Sequence, residues 1–191
     1  MSLSVSQGFY TMKIQKKSFL KRVNVSSVQD ALRNSLVASL QRNPTYNDRV
    51  QHYDRERLRR AVREKLQKLE SSYSLPVSDE EHTKNIVEIS DFLSTEFGHL
   101  LIGGRFRIGT SQKALNLFAK FLWCLKDNWP IPPHCPLDGR ILKLVSIYKP
   151  WTKLDSIQVY TRWINRIRNH ASIMDFSSIA EWELNAWNRL G

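Results

Sequence analysis

Lys113, Asn116 and Lys120 recur at i, i+3 and i+7 through a stretch otherwise filled by Ala114, Leu115, Leu117, Phe118, Phe121, Leu122, Cys124 and Leu125. On a helix these three polar residues form one narrow stripe, and the apolar residues cover most of the remaining circumference. A lysine in such surroundings must reach solvent, a partner or a cleft, because an unpaired buried ammonium is costly. If the stripe simply meets water, Lys113 is an ordinary solvated residue. If it borders a cleft whose apolar walls favour the free amine, Lys113 is a candidate nucleophile. Asp138 also has two readings. It opens a helix, where a carboxylate caps free backbone N–H groups. It also follows a loop with Pro130, Pro132, Pro133 and Pro136, and a carboxylate presented so rigidly suits a general base or an anion that stabilises developing positive charge.

Upstream of the lysine, Gly109-Thr110-Ser111 joins a glycine to a helix start, which leaves backbone N–H groups directed outward as a seat for phosphate. Arg105, Arg107, Lys120, Arg140 and Lys143 surround this seat in sequence and extend the set of candidate phosphate contacts, and Lys149 follows them. Phe106, between two arginines, is a candidate wedge, with a core position as the alternative.

The elements that must position these residues are helical. Ser26 and Gln29 have capping-box spacing, and Val28, Leu32, Leu36 and Leu40 then predict a helix up to Asn43-Pro44. Leu58, Val62, Leu66 and Leu69 form one stripe over 54–70, with seven bases and four acids on the other faces. Ser78 and Glu81 open a helix through about Phe97 that carries six acids against Lys84. The periodicity then predicts helices over 110–126 and 138–148. Asp155 and Gln158 form a capping-box variant ahead of Val159, Trp163, Ile164 and Ile167, and Ser178 and Glu181 open a last helix with Ile179, Trp182, Ala186 and Trp187 on one stripe. Apart from a short turn or strand around 100–108, no strand is expected. The fold class is all-α, a compact bundle of roughly six to eight helices.

The length of 191 residues suits one core. A basic N-terminal arm over 1–25, with five bases and no acid, is expected to precede a single helical domain over 26–191. The 29 Lys and Arg against 18 Asp and Glu give a net charge of +11, and nucleic acid is the commonest partner of such a surface. No apolar run approaches the ~20 residues that cross a bilayer, and no signal-peptide core is evident, so a cytoplasmic protein with no membrane partner is expected. Cys124 and Cys135 read as buried thiols. A zinc site from Cys124, His134 and Cys135 lacks the usual paired spacing, and no cofactor is expected.

The run Gly109-Thr-Ser-Gln-Lys113-Ala-Leu-Asn116, followed by an apolar helix, a loop and Leu137-Asp138 ahead of Arg140, resembles the helix-hairpin-helix DNA glycosylases of the endonuclease III type. The resemblance implies a hairpin that grips the DNA backbone, with Lys113 as the Schiff-base lysine and Asp138 as the catalytic aspartate acting on a flipped-out nucleotide in double-stranded DNA. As no four-cysteine iron–sulfur motif is present, the comparison is with cluster-free members. The alternatives are a non-catalytic basic helical nucleic-acid-binding protein and a protein-interaction module of a defence or toxin–antitoxin type.

Overall fold

The computed structural model describes residues 5–40 and 44–190. Eight α-helices occur among them: α1 (Val5–Arg22), α2 (Val28–Leu40), α3 (His52–Glu70), α4 (Asp79–Phe97), α5 (Ile108–Leu125), α6 (Gly139–Leu144), α7 (Ile157–Ile173) and α8 (Ile179–Leu190). No strand is present among the described residues; Tyr46 and Leu101 form an isolated bridge beside two 3-10 turns at Gly98–Leu100 and Ile102–Gly104. The fold is all-α, and the expected continuation of α2 to Asn43 lies outside the described residues.

Helix α5 is the axis of the molecule. Every one of its residues except Leu125 is buried, as expected of a helix apolar on nearly every face. Helices α1, α2, α4 and α7 pack on it, and α2 does so most extensively. Close approach along α2 is possible because Ala31, Ser35 and Ser39 are small and fully buried. Each serine returns its hydroxyl to the carbonyl four residues back, at 2.8 Å and 2.7 Å, so neither polar group is left unpaired.

Several boundaries differ from expectation for identifiable reasons. The stretch read as a basic arm contains α1, whose Phe19 is 1% exposed and stacks on Phe121 at 5.4 Å and edge-on to Trp187 at 4.9 Å. Phe19 stands among several bases without a clear apolar stripe, which is a weak signal, yet with Met12 and Leu20 packed beside the core it closes the space between α5 and α8. The helix after Asp138 ends at Leu144 instead of reaching Tyr148, because Ser146 turns left-handed (φ 56°) and Ile147 N–H donates back to Leu142 O at 2.9 Å. Asp155, expected to cap α7, instead accepts from Ile108 N–H at 3.2 Å and caps α5, leaving Ser156 to cap α7 through Val159 N–H at 3.3 Å. The cap of α2 is shifted by one residue from the expected Ser26 and Gln29, Ser27 Oγ accepting Asp30 N–H at 3.1 Å, whereas Ser78 accepts from Glu81 N–H and Ser178 from Glu181 N–H as their spacing implies.

Gly109 tolerates no side chain. A Cβ there would lie 1.9 Å from Trp151 O, since the Trp151–Lys153 turn crosses the start of α5 and Leu154 O accepts Gly109 N–H at 2.8 Å. Gly109→Ala is therefore expected to destabilise the fold by roughly 2–4 kcal/mol in urea unfolding, well beyond the change that helix propensity alone would bring.

Candidate functional site

The polar stripe of α5 determines where the proline-rich loop sits. Gln112, one turn ahead of Asn116, makes a two-way pair with the Leu137 backbone, accepting its N–H at 3.1 Å and donating to its carbonyl at 3.0 Å. Asn116 Nδ2 donates to Cys135 O at 2.9 Å. With 135 and 137 held, Asp138 is delivered to Lys113, and Nζ meets Oδ2 at 2.9 Å. The other carboxylate oxygen caps α6, accepting from Arg140 and Ile141 N–H at 3.0 Å and 3.1 Å. Burial raises the Asp138 pKa, but the Lys113 ammonium and the Ile141 N–H outweigh it and hold the carboxyl below its ordinary range. Both sequence readings of Asp138 thus meet in one residue: it is a helix cap and the partner of Lys113.

Lys120 lies one further step along the stripe and is 2% exposed. Its ammonium sits 2.6 Å from Glu183 Oε2 and 4.0 Å above the Phe19 ring, closing α1, α5 and α8 together. The candidate phosphate contact at Lys120 is therefore corrected to a buried structural ion pair. The proposed seat is corrected likewise. Gly109, Thr110 and Ser111 are buried, and the N–H groups at the start of α5 are already taken. Asp155 receives Ile108, Leu154 O receives Gly109, and Arg107 O receives Thr110 and Ser111. Arg105 is engaged by Asp91 at 3.1 Å and Asp155 at 3.4 Å, and Phe106 is fully buried in the core. Arg107 is half-buried and donates to Thr152 O at 3.2 Å.

Of the candidate contacts, those left outward are Arg140, Lys143 and Lys149, on α6 and the loop after it. From Gly139 to Leu154 the chain carries Arg140, Lys143, Lys149 and Lys153 and no acid, and all four are exposed. Tyr148 among them is 78% exposed, with Trp151 half-buried nearby in sequence. The acids at either end, Asp138 and Asp155, are committed to Lys113 and to Arg105 with Ile108 N–H, so they do little to offset the surface charge. Arg140 from α6 and Arg22 from α1 also converge on the Trp187 ring, at 6.0 Å and 5.0 Å. The described cavities lie elsewhere: about 10 Å³ beneath Trp129–Pro133, and about 290 Å³ between α2 and α3. Neither is lined by Lys113 or Asp138.

Sequence reasoning missed the densest chemistry in the core. Tyr73 OH and His82 Nδ1 are 2.6 Å apart, and His82 Nε2 and Asn116 Oδ1 are also 2.6 Å apart. Asn116 Nδ2 donates to Tyr160 OH at 3.2 Å, and Tyr160 OH lies 2.7 Å from His134 Nδ1. His134 Nε2 ends the chain 3.5 Å from Asp79 at the surface, where Arg168 also pairs with Asp79 at 2.7 Å. Donors and acceptors alternate along this path if both imidazoles are neutral and protonated on Nε2, a tautomer assigned from the hydrogen bonds. Burial depresses both imidazoles, His82 to about 3, and His134 stays low although Asp79 opposes the shift. Asp79 itself is lowered to about 2, chiefly by the His134 N–H, with Arg168 adding to it. Sequence offered no spacing rule to join residues 34 and 44 positions from Asn116. The nearest signal was an asparagine placed inside an apolar helix.

Cys124 and Cys135 are free and buried, and burial pushes the Cys124 thiol up to about 12. They are unsuited to nucleophilic chemistry. Among the described residues no group of three or more His, Cys, Asp or Glu is arranged to hold a metal ion, and no helix is long and apolar enough to cross a membrane. No family model, no curated protein and no solved structure matches the chain.

The buried imidazoles predict an acid-sensitive fold. Below about pH 6.5 the unfolded chain gains a proton that folded His82 refuses until about pH 3. Stability is thus complete above this window and falls as the pH drops through it, by roughly 1.4 kcal/mol per unit. Urea unfolding should show a loss of at least about 2 kcal/mol between pH 7 and pH 5, and His134 acts in the same direction. His82→Gln should flatten this slope while lowering stability at pH 7.

Proposed function

We propose that this protein binds nucleic acid through the α6 surface and the loop that follows it, without using the buried lysines as contacts. One observation carries the reading: an acid-free segment, Gly139–Leu154, presents four exposed cations around an exposed tyrosine. Lysines and arginines displace counterions from a phosphate backbone, and an exposed ring among them gives an unpaired base a face to stack on. Arg22 and Arg140 beside Trp187 extend the same chemistry towards α1 and α8. Lys113–Asp138 and the Asp138 cap serve this surface indirectly, since they fix the start of α6.

The test is fluorescence anisotropy with single-stranded and duplex oligonucleotides over a salt series. Replacing Lys143, Lys149 and Lys153 together by Glu should weaken binding by tenfold or more. It should also reduce the salt slope by about 0.7–0.9 for each phosphate that is no longer neutralised. Unchanged affinity in a folded triple variant would remove the proposal.

One observation favours a second reading, the DNA glycosylase/AP lyase suggested by the helix-hairpin-helix resemblance: Lys113 and Asp138 meet at 2.9 Å, where that chemistry needs a lysine and an aspartate at one centre. An attacking amine would have to leave this ion pair and meet a flipped nucleotide, although Lys113 is only 6% exposed. Ser111 also stands where the hairpin's second glycine is usual. Borohydride trapping on abasic-site duplex separates the readings. An adduct abolished by Lys113→Ala would establish the lyase, whereas salt-sensitive binding with no adduct leaves the binding module.

A further inference from the structure

The cavity of about 290 Å³ between α2 and α3 is lined by Arg33, Leu36, Val37 and Leu40 from α2 and by Glu56, Arg59 and Arg63 from α3. The α2 residues are spaced i, i+3, i+4 and i+7 and the α3 residues i, i+3 and i+7, so each helix contributes one outer flank. On α3 this flank is distinct from the buried stripe of Leu58, Val62 and Leu66, whereas on α2 it borders the core, because Leu36 and Leu40 are buried together with Ala31, Leu32, Ser35 and Ser39. Leu36 and Leu40 provide a buried apolar floor, and Val37 stands 46% exposed beside it. Three guanidiniums against one carboxylate make the lining cationic. Arg33 is held by Asp30 at 2.9 Å and Arg59 by Glu56 at 2.5 Å, whereas no carboxylate engages Arg63 among the described residues.

We infer that this groove receives an acidic amphipathic segment of a partner protein, with aliphatic side chains against Leu36, Val37 and Leu40 and carboxylates on the arginine rim. Guanidinium forks match carboxylates in geometry as well as charge, and an apolar floor between charged flanks is the recognition mode of a helix laid into a groove. Other anions fit less well. Nucleic acid would find no aromatic ring in the lining to stack its bases on, and would leave the apolar floor of Leu36, Val37 and Leu40 unmatched. A single alkyl carboxylate would engage Arg63 alone, while several carboxylates spaced along a chain can also use the guanidinium N–H groups that Arg33 and Arg59 keep beyond their one ion pair each. The inference is independent of the nucleic-acid reading, because neither α2 nor α3 contributes to the Gly139–Leu154 surface.

The test uses a fluorescein-labelled peptide of about 15 residues, long enough to form a helix, with Leu at i, i+3, i+4 and i+7 and Glu at flanking positions. A scrambled peptide of the same composition, decanoate and a single-stranded oligonucleotide act as controls and competitors. Saturable binding by the ordered peptide is expected, at least tenfold tighter than the scrambled one and reduced at least tenfold by Val37→Glu and by Arg63→Glu. Val37 is exposed and Arg63 half-buried outside the core, and circular dichroism confirms that both variants fold. The Lys143, Lys149 and Lys153 variant should bind the peptide unchanged, so failure of one site is distinguishable from failure of the other. Absence of saturable binding, equal binding of the scrambled peptide, indifference to both substitutions, or displacement by decanoate or the oligonucleotide would each overturn the inference.

Discussion

The fold depends on satisfying four buried polar side chains of one helix, beside which the Ser111 hydroxyl is buried without a partner among the described residues. Helix α5 carries Gln112, Lys113, Asn116 and Lys120 into an interior that otherwise excludes water. Leaving any of them unpaired would cost about 1–3 kcal/mol, and more for the charged pair. Each is therefore met by an element distant in sequence: the proline loop at Leu137, the α6 cap at Asp138, α4 and α7 through His82 and Tyr160, and α8 through Glu183. The stripe thereby decides how the surrounding helices assemble, in addition to the apolar contacts that drive burial.

The same requirement explains why residues that look like chemistry in the sequence act as architecture in the structure. A lysine in an apolar helix can be a poised amine or a clamp, and here both lysines face carboxylates at hydrogen-bonding distance. A glycine before a helix can open an anion seat or admit another backbone, and Gly109 admits Trp151 O. Positive charge then falls to the residues that the interior does not need. On α6 and the loop after it the flanking acids are spent inward, so four bases face outward uncompensated.

The helices were largely legible from periodicity and caps. Ser78 and Ser178 cap as their spacing implies, and Leu58, Val62 and Leu66 form the buried stripe of α3. Boundaries were lost where a distant group intervened, as when Asp155 left its own helix to cap α5. Helix α1 was read as an arm because its bases mask a short apolar face of Met12, Phe19 and Leu20, and the partners of Phe19, Phe121 and Trp187, lie far along the chain. Of the candidate site, Arg140 and Lys143 are exposed as a contact surface requires, while Lys120, Gly109, Thr110 and Ser111 are enclosed.

By itself the sequence determined that the chain is all-α, the main apolar stripe of most of its helices, and that Lys113, Asn116 and Lys120 lie on one stripe. These are consequences of a 3.6-residue repeat and of local hydrogen bonding. Only the tertiary structure decided what that stripe faces. The partner of a buried polar group is set by packing between segments 25 to 63 residues apart, and no local periodicity encodes that choice.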